Sequence, residues 1–163
     1  MEGTAEERLR WLCDRAEVMD TVLRFALALD THDWPMLRGC LADAVEVDYS
    51  AFRNEPPGTL TAGEFVARRA SALAGLRMQH LSTNHLVEID RDAATCRSCY
   101  VIHRVHPGLP EGENTLDTAG HYVHRLARTG GDWRITGIVQ TLLWSRGNPR
   151  VHAALHAAPR ESS

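Results

Sequence analysis

The sequence predicts an α+β fold in which helices pack on one face of a curved, mostly antiparallel sheet and close off a pocket. Two observations carry that expectation. Helical signals fill the first half of the chain around one short strand, and from Met78 onward they give way to four extended segments joined by turns. The chain has 163 residues with 44% hydrophobic content, which suits one core and leaves little for a second.

The first element is a helix from about Ala5 to Asp30. Leu9, Leu12, Ala16, Met19, Leu23, Ala26 and Asp30 recur at alternating steps of three and four, which puts them on one side of a helix. The last of them is a carboxylate. Asp30 on a core-facing stripe needs a partner, because an unpaired buried charge costs several kcal/mol. The alternative is that it lies just past the last buried turn, capping or solvated.

Asp33-Trp34-Pro35 ends this helix and opens a short second one through Met36, Leu37 and Leu41, with Asp33 as N-cap. Val45 to Phe52 alternates as a strand with Val45, Val47, Tyr49 and Ala51 on one face, so Tyr49 points inward. Arg53 to Gly58 is a loop, and Thr61-Ala62-Gly63-Glu64 has the form of a capping box opening a third helix with Phe65, Val66, Leu73 and Leu76. Met78–Asp90 is a strand, irregular around Ser82-Thr83-Asn84, and Thr95–His106 is another, with Cys99, Val101, His103 and Val105 on one face. Pro107–Asn114 is a turn-rich loop. Thr115–Arg128 and Asp132–Arg146 form a hairpin across Thr129-Gly130-Gly131. Ile135, Val139 and Leu143 alternate with Ile138, Leu142 and Trp144, so both faces of the last strand read as apolar and need cover. Residues 1–150 read as one domain and 151–163 as a tail, either disordered or a short helix.

The net charge is -3, with no sustained Lys/Arg stripe, which argues against a nucleic-acid or anionic-membrane surface. No segment has the apolar length of a membrane span, and the acidic start lacks the pattern of an export signal, so a cytoplasmic location is expected. Cys13, Cys40, Cys96 and Cys99 then read as free thiols, and the single CxxC, lying on a strand, as structural. His152 and His156 have helical i,i+4 spacing, but in an Ala-rich tail they read as a solvated pair.

Taken together, Ala28 to Trp34 closing helix one, Val47 to Phe52 in the first strand, Glu64-Phe65-Val66 leading to Met78-Gln79-His80, and Gly131 to Ile135 with Trp144 resemble the SnoaL-like and scytalone dehydratase branch of the nuclear transport factor 2-like fold. The resemblance covers roughly Glu6 to Asn148. It implies a conical pocket in which Asp30 pairs with His80, Tyr49 polarises a substrate carbonyl through water, and His103, or else His106, is a second catalytic histidine. It also puts Tyr122 against the ligand. Two positions depart from the family pattern: Leu29 stands where a second tyrosine is found, and Tyr122 stands where an amide is found.

The chemistry stands on its own terms too. Eliminating water β to a carbonyl needs a base for the α-proton, an acid for the departing hydroxyl and a donor to the developing enolate. Histidine suits the proton steps, an aspartate on its other ring nitrogen sets the tautomer, and a protonated tyrosine is an oxyanion donor. No metal or cofactor is called for. The same residues have plainer readings: Asp30–His80 as a structural pair, Tyr49 as a packing aromatic, His85, His121 and His124 as surface or interface groups, and Asn84 as a turn residue rather than a substrate contact. Trp144 joins Tyr122 and Asn84 as a candidate substrate contact.

The expected function is a cofactor-independent dehydratase acting on a cyclic, carbonyl-bearing small metabolite of polyketide type. The rivals are a cyclase or isomerase using the same enolate, and a silent ligand-binding or assembly module that would lack an Asp30–His80 hydrogen bond. A homodimer or homotrimer is expected, since the last strand needs cover.

Overall fold

The computed structural model describes residues 4–53 and 56–153. Helix α1 spans Ala5–Thr31 and α2 spans Trp34–Gly39; β1 is Leu41–Asp48, α3 Ser50–Arg53, β2 Gly58–Thr61 and α4 Ala62–Leu73. Four long strands follow, β3 Arg77–Asp90, β4 Ala93–Val105, β5 Thr115–Thr129 and β6 Asp132–Gly147, and then a short α5, Arg150–Ala153. The six strands form one sheet in the order β2-β1-β6-β5-β4-β3. Only β1 against β6 is parallel. The α+β expectation holds, with helices on one face of a mostly antiparallel sheet.

Local chemistry accounts for most boundaries. Thr4 and Glu7 form a capping box that starts α1, and Thr61 and Glu64 form another that starts α4. At the end of α1, His32 turns left-handed (φ 55°) and Asp33 accepts from the Met36 N–H at 2.8 Å, so one helix stops where the next begins. The β5–β6 hairpin turns on Gly130 and Gly131 at φ 61° and 97°, and a two-residue turn with positive φ at both positions favours glycine.

Three sequence expectations are corrected. The first strand begins at Leu41 and stops at Asp48, because the Asp48 carboxylate takes the Ser50 N–H and hydroxyl and starts α3. Gly58, expected to end a loop, instead opens a short edge strand that runs to Thr61. The core face of α1 is also not the predicted stripe. Val18, Thr21, Val22, Phe25, Ala28 and Leu29 are buried, while Leu9 and Leu12 are 62% and 56% exposed. The two stripes are offset by one residue, about 100° around the helix, and carry similar hydrophobicity, so periodicity alone does not choose between them. Phe25 does, by filling the space between Phe65 and His124.

Register irregularities decide which face of the sheet each side chain occupies. On β6, Ile135 and Ile138 should point apart, yet both are fully buried because the β5–β6 ladder slips between Arg125 and Leu126. The ladder slips again between Ala119 and Gly120, where Gly120 pairs with Leu142 and Ala119 with Trp144. The far end of β6 therefore turns outward, leaving Leu143 and Trp144 60% and 49% exposed in the single chain. Glycine is required at 120, since a Cβ there would sit 1.8 Å from the Thr141 carbonyl oxygen. Among the described residues no helix is long and apolar enough to cross a membrane.

Candidate active site

The helix-covered face of the sheet encloses a small cavity lined by Leu29, Tyr49, Leu73, Met78, Ile102 and Gln140 with a set of polar and charged groups. His80 enters it from β3, Arg104 from β4, Tyr122 from β5, Arg69 from α4 and His152 from α5.

The organising contact ties α1 to β3. Asp30 uses both carboxylate oxygens on one residue: Oδ2 accepts the His80 backbone N–H at 2.8 Å, and Oδ1 lies 2.5 Å from His80 Nδ1. The Asp30 side chain is 15% exposed and that of His80 is 4%. The pair thus works in a medium much drier than water, where a charge-assisted hydrogen bond is stronger. With Nδ1 committed to the carboxylate, Nε2 is the nitrogen left to exchange a substrate proton.

Aromatic groups build the far wall. Tyr122 is buried against Tyr100 at 4.7 Å and His124 at 5.1 Å between ring centroids. Burial, reinforced by the neighbouring Tyr49 and Tyr100, pushes the Tyr122 hydroxyl well above the usual tyrosine range, so it remains an O–H donor. Tyr100 donates to the Thr141 carbonyl at 3.2 Å. Behind Tyr122, burial depresses His124 to about pKa 3, and neither of its nitrogens has a hydrogen-bond partner among the described residues. It is a neutral core ring, not the surface or interface histidine expected.

Arg104 is 3% exposed and donates to Thr118 Oγ1 at 2.8 Å. Burial lowers its pKa, opposed by Tyr122, Tyr100, Asp117 and Asp30. Arg69 lies over the rings of Tyr49 and Phe65, at 5.0 and 5.4 Å from their centroids.

The structure therefore brings together Asp30, His80, Tyr49 and Tyr122, and leaves the other candidates outside. His103 lies on the opposite face of the sheet, half exposed and paired with Asp117 at 2.8 Å. β4 alternates as expected, but its cavity face is the one carrying Ile102 and Arg104, opposite the face of Cys99, Val101 and His103. His106 sits beyond the strand, its Nδ1 accepting from the Gly108 N–H at 3.1 Å. Asn84 is an exposed residue at φ 55° in the β3 irregularity, a conformation asparagine tolerates, with its amide against Cys99 Sγ at 3.6 Å. Trp144 is turned outward by the slip at Gly120.

Four polar lining residues were not expected there: Arg69, Arg104, Gln140 and His152. For Arg69 a signal existed, since it falls four residues after Phe65 and four before Leu73, a charge on an apolar helical stripe. His152 was read as solvated, yet α5 brings it to the cavity beside a fully buried Val151; its i+4 neighbour His156 lies outside the described residues.

The cavity is small and partly open to the surface. Its open space is about 30 Å³, room for roughly two water molecules. A second hollow of about 50 Å³, lined by Val47, Pro56, Gly58, Leu60 and Arg68, adjoins it across Tyr49 and Arg69. A larger groove of about 470 Å³ lies elsewhere, between α1, α2 and the β5–β6 hairpin. Among the described residues its charges are already paired, Asp20 with Arg24, Asp132 with Arg134 and Glu17 with Arg128, and no buried acid–base pair faces it.

Residues 10–139 match the family of SnoaL-like domains. The scytalone dehydratase-like protein AacuK of Aspergillus aculeatus is 30% identical over 131 residues, 74% of each chain. Among solved structures, the Kfla4162 protein of Kribbella flavida superposes with a TM-score of 0.81 at 23% identity, covering 90% of this chain and 98% of its own. A type 2 hexachlorocyclohexane dehydrochlorinase, LinA, does so with a TM-score of 0.73 at 18% identity, covering 95% and 99%. These last two likenesses bear on fold alone, and they extend over the sheet and the helices that build the cavity. The chain belongs to the SnoaL-like family, in the scytalone dehydratase-like branch of the nuclear transport factor 2-like superfamily.

Proposed function

We propose that the protein is a cofactor-independent lyase that removes water β to a carbonyl in a cyclic small metabolite of polyketide type. The observation that carries this reading is the Asp30–His80 contact, a buried histidine held at its ring by one oxygen of a carboxylate and at its backbone N–H by the other, at the edge of a cavity. The silent-module reading expects no such bond.

In this reading His80 Nε2 takes the α-proton, and the electrons of the C–H bond pass to the carbonyl oxygen. Tyr122 and Tyr49 stand on the cavity wall as O–H donors to that oxygen. The enolate then re-forms the carbonyl and expels the β-hydroxyl, which leaves as water with the proton His80 has just taken up. Since His103 is on the far face, one imidazole serves both proton steps, and Asp30 stabilises its charged form in between. The scytalone dehydratase-like relative supports the same reaction class.

The test is a thermal-shift screen of the protein against cyclic β-hydroxyketones, followed by turnover of the stabilising compounds, read as the absorbance of the conjugated product. Conversion that is abolished in His80→Ala is the expected result. Exchange of the α-hydrogen in D₂O without loss of water would instead assign the pocket to isomerisation or cyclisation. Failure of every such ketone to bind or react would remove the dehydratase reading.

A further inference from the structure

The balance of charge in the cavity says something about what enters it. Among the described residues the lining contains two arginines and no aspartate or glutamate. The neighbouring carboxylate, Asp30, has both oxygens spent on His80. Arg69 and Arg104 are nonetheless 9% and 3% exposed, and a guanidinium taken from water costs several kcal/mol unless an anion or a set of acceptors replaces its hydration.

Arg69 has been given little in return. Its contacts are the faces of Tyr49 and Phe65, and its buried Nε meets no acceptor among the described residues. Arg104 is better provided: it donates to the Thr118 hydroxyl at 2.8 Å and feels the charges of Asp117 and Asp30, so the case for an anion starts from Arg69. Both arginines reach the same space as Tyr122 and Gln140. A structural role would be filled more cheaply by apolar side chains of similar volume, as on the rest of this face.

We propose that the substrate carries an oxyanion, a carboxylate or the ionised oxygen of an acidic phenol or enol, and that Arg69 and Arg104 bind it. This rests on the dehydratase reading only for the word substrate; the anion site is argued from the lining itself. Guanidinium forks suit the two parallel acceptors of a carboxylate, and an acidic enol oxygen would lie in the same fork. In both cases the anion shares the cavity with His80, and anchoring it would fix the ring for proton removal. Arg69 also borders the adjoining hollow, so an anion drawn to it would meet this charge at the boundary between the two spaces.

The experiment measures binding without turnover. Benzoate and benzamide share a shape and differ in charge; 4-nitrophenolate and 4-nitroanisole form a second such pair, which separates the carboxylate from the phenolate source. Calorimetry in a non-coordinating buffer should show at least one anion binding tighter than its neutral partner by about tenfold or more. Arg69→Gln and Arg104→Gln should each remove that preference while leaving the neutral compound's affinity unchanged. The anion should also shift the Arg69 Nε–Hε resonance of ¹⁵N-labelled protein. Should Arg104→Gln fail to fold, Arg104→Lys keeps the charge, and Arg69→Gln still decides. Equal binding of charged and neutral partners, no binding of either anion at saturating concentration, or a preference that survives Arg69→Gln would overturn the proposal. The two readings fail separately: a neutral β-hydroxyketone turned over without competition from these anions keeps the dehydratase and removes the anion site. Arginine-dependent anion binding with no β-hydroxyketone turned over does the reverse.

Discussion

Replacing Asp30 by asparagine changes one atom in the site and reverses the logic of its proton. In the native protein both acceptors are carboxylate oxygens, one 2.8 Å from the His80 backbone N–H and the other 2.5 Å from Nδ1. An asparagine must still offer its oxygen to the backbone N–H, which cannot be turned off. Its NH₂ then faces Nδ1 and donates to it, so the ring proton moves to Nε2 and the nitrogen available to substrate is no longer a base. The rate should fall at least about 100-fold, the scale of one general acid–base group. Stability should change little. Two charge-assisted hydrogen bonds of about 1.5–3 kcal/mol become neutral ones of about 1 kcal/mol, while the cost of burying a carboxylate disappears. The net loss should stay below about 2 kcal/mol, or roughly 4–8 °C in Tm for a domain of this size. Long-range ¹H–¹⁵N correlation spectra of the His80 ring read the tautomer without any substrate, and turnover on an active β-hydroxyketone reads the rate. His80→Ala should cost at least as much as Asp30→Asn, and the double variant little more than the worse single one, because the pair acts as a unit. An unchanged tautomer with near-normal turnover per folded molecule, and only a lower Tm, would refute the reasoning and make the contact a stability device.

Other outcomes follow from single features of the structure. Tyr49→Phe keeps the ring under Arg69 and removes an O–H donor, so it should fold normally and lose about 10- to 1,000-fold in rate; full activity would take Tyr49 out of the chemistry. His124 is held neutral by burial, with a folded pKa of about 3 against 6.5 ordinarily, so the unfolded chain binds its proton first on acidification. Its contribution is whole above about pH 6.5 and is lost between there and pH 3 at up to about 1.4 kcal/mol per pH unit. Urea midpoints at pH 4.5, 5.5 and 7 should therefore fall more steeply for the native protein than for His124→Phe, and parallel slopes would count against this. The exposed Leu81, Leu86, Leu143 and Trp144 lead us to expect a dimer or trimer, and a sedimentation mass near 18.1 kDa at micromolar concentration would show a monomer instead.

What the sequence determined by itself is what short-range chemistry decides. The capping box at Thr61, the Asp33 cap, the Gly130-Gly131 turn and the alternation of the long strands act over a few residues, so the element order could be read from them. The Asp30–His80 pair was legible for a related reason: a carboxylate ending an apolar helix needs a partner, and the family pattern says which histidine supplies it. Tertiary structure alone decided the faces. A period-two pattern is symmetric under a slip of one residue, so nothing local distinguishes a strand with His103 inward from one with Arg104 inward. The slip at Gly120 that turns Trp144 outward arises between two strands, where Leu142 rather than Leu143 comes to face Gly120, and no window on either strand contains it. The same holds for α1, where two stripes of similar hydrophobicity compete and the volume between Phe65 and His124 selects Phe25. The arginines of the cavity belong to this second class. Each is an ordinary charged residue in its own segment, and only the fold that brings α4 and β4 to one cavity makes the pair a buried, positively charged lining.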